Sequence, residues 1–177
     1  NTEVPIAVKG INGGAVPANA LSTGTKQIIL TALPLYKLQT PNSVVLFDEP
    51  ERSLFPDLQQ IIVDYYTSLA PNSQFFFATH SPFVAAAFEP YERFILYFDE
   101  EGKVRCKNGV VPIGDDPNDI LKKDFEIANL MNDHGRAKYK AYVQLKTKIR
   151  NETNPQHKDE LLAELTKLGN DYNFYNP

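Results

Sequence analysis

Two acidic residues directly follow an apolar run in the first third of the chain and could have separate roles in a hydrolytic site. Residues 44–47 are Val-Val-Leu-Phe, and Asp48 and Glu49 follow directly. A first carboxylate can hold Mg²⁺, directly or through water, while its neighbour orients and deprotonates an attacking water. An isolated Asp-Glu pair at a strand end is as often structural, so this interpretation needs support from a second element.

A histidine closes the next apolar run. Residues 75–78 are Phe-Phe-Phe-Ala, and the segment that follows reads Thr-His-Ser-Pro, with the histidine at position 80. Parallel α/β sheets bind ligands at the carboxyl ends of their strands, so we expect His80 to share an edge with Asp48 and Glu49. From that edge an imidazole can hydrogen-bond a phosphate oxygen. A lone histidine at such a position is more often structural, and the shared edge is what favours a functional role.

A third polar segment lies upstream of both runs. Residues 21–27 read Leu-Ser-Thr-Gly-Thr-Lys-Gln and precede a mostly apolar, helix-like run. Ser22 and Gly24 at a helix start would expose a hydroxyl and backbone N–H groups to an anion. The same serine is also an ordinary N-cap residue, and this alternative stays open.

The elements that must position these residues alternate in a βαβ pattern. The two apolar runs indicate strands buried on both faces of a parallel sheet. Between them, apolar residues recur at helical spacing over about residues 56–69, with Pro56 at the expected first turn. Residues 94–98 predict a third strand, and residues 99–106 predict a turn and a returning strand. The predicted fold is α/β, with a mostly parallel sheet flanked by helices.

The last third of the chain is helical and charged. Residues 136–150 and 157–168 each carry an apolar stripe, and the short polar break between them predicts an antiparallel helical hairpin. We therefore expect two domains, an α/β domain over residues 1–112 and a helical appendage over residues 113–177.

Composition and charge exclude several classes of protein. The 177 residues are 42% apolar and 23% charged, as in ordinary globular proteins. No run approaches ~18 apolar residues, so no membrane-spanning helix is expected. The net charge of −4 argues against a mainly basic surface that coats nucleic acid. The single cysteine, Cys106, excludes an internal disulfide and a Cys-rich zinc site, and it fits a reducing cytoplasm.

A run of cations in the appendage has two interpretations. Six Lys and Arg side chains and no acid occur between residues 136 and 150, interleaved with Tyr139 and Tyr142. They could contact phosphate backbones or an acidic protein partner. A solvated face of the helical hairpin is the favoured alternative, because both tyrosines fall on the apolar stripe.

In their order along the chain, the three polar segments resemble the signature motif, Walker B motif and switch histidine of ABC-class ATPases. Residues 48–56, Asp-Glu-Pro-Glu-Arg-Ser-Leu-Phe-Pro, are more similar to the SMC, RecF and OLD-like branch of AAA family ATPases than to membrane transporters. Transporters usually have Thr-Ser-Ala-Leu-Asp after the Asp-Glu-Pro. The resemblance covers about residues 15–100.

The resemblance implies a role for each matched residue. Ser22 and Gly24 would contact the γ-phosphate that an opposing subunit holds. Asp48 would bind Mg²⁺, Glu49 would be the general base, and His80 would sense the γ-phosphate.

The chain departs from the family pattern in several places. Thr23, Thr25 and Phe55 replace commoner residues of the signature motif and of the D-loop, which residues 53–57 would form at the other subunit. No Gly-x-x-x-x-Gly-Lys-Ser/Thr occurs, although residues 10–14 are glycine-rich. Without that loop there is no cradle for the β-phosphate and no hydroxyl ligand for Mg²⁺. The chain is therefore expected to be the C-terminal portion of an ATPase and to be inactive by itself.

For the intact protein, the resemblance implies hydrolysis of ATP with Mg²⁺ between the two subunits of a homodimer. Both cofactors would require the N-terminal portion of the same protein. The implied partner is DNA or a nuclease, in DNA repair or in defence against foreign DNA. The main alternative is a non-catalytic, degenerate ATPase module used for dimerisation or partner docking, and a transporter ATPase is a third possibility.

Overall fold

A computed structural model describes residues 7–38 and 42–174 of the chain. The chain divides into two compact units, Asn1–Glu126 and Ile127–Pro177. The domain boundary expected from the sequence lies between residues 112 and 113. Residues 113–126 nevertheless pack within the first unit, because Ile120 is fully buried against Ala85 and Val111.

The first unit alternates strands and helices. Its described elements are, in order, β1 (Ala7–Lys9), β2 (Ala15–Pro17), α1 (Thr23–Leu38), β3 (Val44–Asp48), α2 (Pro56–Leu69), β4 (Gln74–Ala78), α3 (Pro82–Ala85), β5 (Phe94–Phe98), β6 (Val104–Asn108) and α4 (Pro117–Asp119). Short 3₁₀ turns lie at Ala18–Ala20 and Pro90–Glu92, and a π-helical turn follows α4 at Ile120–Asp124. The fold is a mixed α/β fold.

The strands pair in three separate two-stranded sheets within the described residues. Strands β3 and β4 are parallel, as predicted, whereas β1 with β2 and β5 with β6 are antiparallel. The predicted hairpin of residues 94–106 is confirmed. A mostly parallel sheet is not seen among the described residues, because β3 and β4 pair only with each other and β5 pairs only with β6. Asp99 closes the tight turn between β5 and β6 by accepting hydrogen bonds from the backbone of Glu101 and Lys103.

The described residues cover only one face of the β3–β4 pair. On that face Phe47 stacks on Tyr66 of α2 with the ring centroids 4.4 Å apart, and Tyr66 is fully buried. On the other face Val44, Leu46 and Phe76 are 63%, 75% and 49% exposed. The expectation that both faces are buried is therefore wrong for this chain, since helices α1 and α2 supply cover on a single side.

The second unit contains two long helices, α5 (Asp133–Asn151) and α6 (Pro155–Tyr172). The side chain of Asn132 caps α5 and the side chain of Asn154 caps α6, each by accepting hydrogen bonds from the first helical turn. Three core side chains are buried between the two helices: Tyr142, Leu145 and Leu161. The predicted helical hairpin is confirmed. Within the described part of the chain, no helix is both long and apolar enough to cross a membrane.

Candidate active site at the ends of β3 and β4

The ends of β3 and β4 bring Glu49 and His80 together. The parallel register sets Asp48 opposite Ala78, so both strands leave the sheet at the same edge. The backbone N–H of Glu49 donates to the carbonyl of Ala78 at 2.8 Å, one residue beyond β3. The Nε2 atom of His80 lies 3.9 Å from a carboxylate oxygen of Glu49. The structure thus joins two of the side chains that the sequence analysis assigned to one edge, and their catalytic roles stay predictions.

This pair is open to solvent. The side chain of His80 is 90% exposed and that of Glu49 is 46% exposed. An exposed ion pair contributes little to folding, about 0–1 kcal/mol. Stability therefore does not explain why the two groups meet here.

The backbone of Glu49 is held in an unusual conformation. Its φ angle is +46°, in the left-handed region that residues other than glycine adopt at a cost of about 1–3 kcal/mol. Two hydrogen bonds hold it there, from Glu49 N–H to the carbonyl of Ala78 and from Arg52 N–H to the carbonyl of Glu49. Such strain persists only where the surroundings fix it, and it clusters at functional sites.

Asp48 ends β3 on its uncovered face. It follows Val44 and Leu46 at the two-residue period of a strand, and all three are exposed. Within the described residues, no group of three or more His, Cys, Asp or Glu could hold a metal ion. Proteins hold Mg²⁺ through one or two carboxylates together with substrate phosphates. Asp48 could supply one such carboxylate but cannot form the site by itself, and its role as a magnesium ligand stays a prediction.

Ser22 begins α1 as its capping residue. Its Oγ accepts a hydrogen bond from the backbone N–H of Thr25 at 3.1 Å and lies 2.8 Å from the Thr25 hydroxyl. The capping alternative left open by the sequence is therefore present in the structure. The predicted contact of Ser22 with a γ-phosphate stays a prediction.

Gly24 lies directly against the turn after β3. A Cβ atom built on Gly24 would stand 2.5 Å from the carbonyl oxygen of Ser53 and 3.3 Å from the side chain of Leu54. Only glycine fits such a close approach of two backbones. Ser53 itself has a φ of +63°, so this turn carries a second left-handed residue after Glu49. The signature-like segment and the D-loop-like segment are thus packed on each other within one chain.

Glu51 connects the two strand ends, a role that was not predicted from the sequence. Its Oε1 accepts hydrogen bonds from the Thr79 hydroxyl at 2.7 Å and from the His80 N–H at 3.1 Å. Its Oε2 is buried and has no hydrogen-bond partner among the described residues. The only signal in the sequence was an acid placed two residues after Glu49, which does not show that its carboxylate turns inward.

Gln59 of α2 hydrogen-bonds to both the turn after β3 and the segment after β4. The buried hydroxyl of Ser81 donates to the Gln59 side-chain oxygen at 2.6 Å and accepts from the first N–H groups of α3. The Gln59 amide nitrogen donates to the carbonyl of Leu54 at 2.9 Å. The segment that carries His80 is therefore fixed both to the turn after β3 and to α2.

A buried ion pair holds the far end of α3. Arg93 and Asp124 lie 2.9 Å apart, with their side chains only 5% and 0% exposed. The guanidinium of Arg93 also donates to the carbonyls of Phe88 and Ala85, at the C-terminal end of α3. The helix that follows His80 is thus anchored at both ends.

Comparison with known proteins finds a matching family. Residues 8–86 match a family described as "AAA domain, putative AbiEii toxin, Type IV TA system". The matched segment contains Ser22, Gly24, Asp48, Glu49 and His80. The match supports an AAA-type, ATPase-like domain over these residues. No curated protein matches the chain.

Proposed function

We propose that this chain forms the Walker B, signature and switch-histidine portion of an ABC-class ATPase of the SMC, RecF or OLD-like type. The observation that carries the proposal is the approach of His80 to Glu49, 3.9 Å apart at the carboxyl edge of a parallel strand pair. Phosphate-binding α/β proteins place their ligands at this edge. The match of residues 8–86 to an AAA domain supports nucleotide as that ligand.

The proposed reaction is hydrolysis of ATP at the interface of two subunits. Mg²⁺, when bound, neutralises charge on the phosphates, and Asp48 would hold it. Glu49 would orient the attacking water and accept its proton, while His80 would donate a hydrogen bond to the γ-phosphate. Ser22 and the backbone beside Gly24 would act on the γ-phosphate of the opposing site, where fixed donors stabilise developing charge.

The uncovered apolar surface of the first unit favours a further polypeptide segment as partner. The exposed side chains of Val44, Leu46 and Phe76 form one apolar face, which a globular domain normally covers. The 177 residues contain no Gly-x-x-x-x-Gly-Lys-Ser/Thr loop. We infer that the N-terminal portion of the same protein carries that loop, covers this face and completes a mostly parallel sheet.

We further propose that the intact ATPase is a cytoplasmic homodimer that acts with DNA or a nuclease. The resemblance to the SMC, RecF and OLD-like branch favours DNA repair or defence against foreign DNA, and the description of the matched family as a toxin favours defence. The cations of α5 are candidates for the contact. Lys140 and Lys148 are exposed, whereas Lys146 lies over the ring of Tyr142.

A second candidate function is a non-catalytic module for dimerisation or docking. Two observations favour it: the chain lacks a phosphate-binding loop, and the hydroxyl of Ser22 is engaged in capping α1. In this case the Glu49–His80 pair would be inherited from an ATPase and would not hydrolyse ATP.

Measurements of ATP binding and hydrolysis distinguish the two functions. They use a protein that contains both this chain and a phosphate-binding loop. The enzyme hypothesis expects Mg²⁺-dependent turnover that both Glu49→Gln and His80→Ala reduce. Asp64→Asn is a matched control, because Asp64 is exposed on α2. Binding of ATP with no turnover would favour the docking module instead.

A further inference from the structure

One carboxylate oxygen joins the turn after β3 to the segment after β4. The Oε1 atom of Glu51 accepts from the Thr79 hydroxyl at 2.7 Å and from the His80 N–H at 3.1 Å. The Thr79 hydroxyl oxygen in turn accepts from the Ser81 N–H at 3.0 Å. Residues 79, 80 and 81 are thus all connected to Glu51, directly or through Thr79.

The position of the His80 imidazole depends on this backbone attachment. Apart from its approach to Glu49, the ring has no polar partner among the described residues, and its side chain is 90% exposed. Glu51 belongs to the same turn as Glu49, and that turn is closed by the bond from Arg52 N–H to the Glu49 carbonyl at 3.0 Å. Fixing the backbone of His80 to Glu51 therefore adds to the Glu49–Ala78 bond in holding the two segments together, and it restricts where the His80 ring can lie relative to Glu49.

We propose that Glu51 is a positioning residue that sets His80 against Glu49 for phosphate chemistry. It acts through the backbone of His80 and the hydroxyl of Thr79, and it does not touch the nucleotide. A hydrogen bond to a charged acceptor is stronger than one between neutral groups, which suits a residue that must hold an exposed switch side chain in place.

The second oxygen of Glu51 gives the proposal a distinctive consequence. Because Oε2 is buried with no partner among the described residues, Glu51→Gln would bury an amide N–H₂ group that lacks an acceptor there. Its carbonyl oxygen could still accept from Thr79 and His80. Glutamine is therefore expected to restore part of the function that alanine removes.

The first test uses the 177-residue chain and measures backbone amide exchange by NMR. Glu51→Ala should speed exchange of the His80 amide by about 10- to 100-fold, as expected for loss of a charge-assisted hydrogen bond. Glu51→Gln should give an intermediate rate, and amides within β3 should keep their wild-type rates. Asp64→Ala removes an exposed acid from the same unit and should change none of them.

Two results would overturn the proposal. One is an unchanged His80 amide in Glu51→Ala, and the other is an equal acceleration of all amides, which would indicate general destabilisation. If Glu51→Ala does not fold, Thr79→Val removes one donor to the same oxygen while retaining the backbone N–H of His80. That variant should then speed exchange of the His80 amide, and an unchanged rate would count against the proposal.

The second test rests on the proposed function and uses the protein that contains a phosphate-binding loop. Glu51→Ala should lower kcat by about 10-fold or more while KM for ATP changes by less than about 2-fold, because Glu51 does not bind the nucleotide. If Glu49→Gln abolishes turnover but Glu51→Ala leaves kcat unchanged, the positioning role fails and the proposed function stands. If the wild-type protein has no turnover, the proposed function fails, and amide exchange still decides whether Glu51 holds His80.

Discussion

Gly24 packs on the carbonyl oxygen of Ser53 so closely that a Cβ atom on the glycine would stand 2.5 Å from that oxygen. The two residues belong to segments that resemble the signature motif and the D-loop, both of which would face an opposing subunit. Their contact within one chain means that a shift of either segment must move the other. The proposed partner-facing surface is therefore a single packed element of the first unit.

Replacing Gly24 with alanine should destabilise the first unit. The added methyl group would collide with backbone rather than with a flexible side chain, so we expect a loss of about 1–3 kcal/mol, the usual effect of overpacking. Urea denaturation followed by circular dichroism would measure it. Gly14→Ala is the matched control, because a Cβ there meets nothing within 4 Å. Equal stability of the two variants would contradict the close packing at Ser53.

The 177-residue chain should not hydrolyse ATP by itself. It offers Asp48, Glu49 and His80 but no loop to cradle the β-phosphate and no hydroxyl ligand for Mg²⁺. A phosphate-release assay on the purified chain should stay at the background rate. Measurable steady-state turnover that Glu49→Gln abolishes would show that the chain contains a complete site.

In a protein that unites the chain with a phosphate-binding loop, Glu49→Gln should retain ATP binding and lose turnover. Removal of a general base lowers the rate by about 10²–10⁴-fold. The variant should accumulate as an ATP-bound dimer, because closure no longer leads to hydrolysis, and light scattering with and without ATP would detect it. Near-normal turnover would identify Glu49 as a structural acid.

At alkaline pH, ionisation of Tyr66 should lower the stability of the first unit. Burial raises the pKa of its hydroxyl above the ordinary value of 10.0, although the hydrogen bond with Thr31 opposes the shift. Above that ordinary value the tyrosine ionises in the unfolded chain but stays neutral in the folded one. Folding then becomes less favourable as the pH rises toward the higher folded pKa.

Tyr66→Phe isolates this effect. At neutral pH the variant should lose about 0.5–1.5 kcal/mol for one hydrogen bond, and the Thr31 hydroxyl can still donate its proton to the carbonyl of Gln27 or Ile28. Urea denaturation between about pH 8 and pH 11 should show the wild type losing more stability than the variant. Parallel losses in the two proteins would exclude Tyr66 as the cause.

The sequence predicted the elements that depend on local pattern. Apolar runs located β3 and β4, and the residues that follow them fixed the edge at which Glu49 and His80 meet. Helical periodicity located α2, α5 and α6. Each of these features depends on a repeat along the chain, which can be read without knowing what packs against it.

Features that depend on distant contacts were not predictable in this way. The apolar pattern of β3 indicates two buried faces. It does not show whether the segments that cover both faces belong to this chain. The inward turn of the Glu51 carboxylate accompanies the left-handed backbone at Glu49 and the approach of Thr79. Neither the left-handed backbone nor the approach of Thr79 can be recognised in a single sequence. A glutamate whose carboxylate bridges two segments therefore cannot be distinguished by sequence from one that is solvated.

The cations of α5 are expected to bind a partner and to have no part in the ATP site. None of the residues that match the ATPase motifs lies beyond residue 82, and Lys140 and Lys148 project from an exposed helical surface of the second unit. Reversing charge at Lys140, Lys146 and Lys148 should weaken association with DNA or an acidic partner and leave ATP turnover unchanged. If the partner is DNA, the slope of log K against log salt should fall by about 0.9 for each phosphate that the variant no longer neutralises.

Lys167→Glu is the control for this last experiment, because Lys167 is exposed on α6, outside the cationic run. It should leave both association and its salt dependence near the wild-type values. Lys146 also lies 4.8 Å from the centre of the Tyr142 ring, so circular dichroism must first show that the triple variant keeps its helices. A folded triple variant that binds its partner normally but has lost ATP turnover would assign the appendage to the catalytic machinery instead.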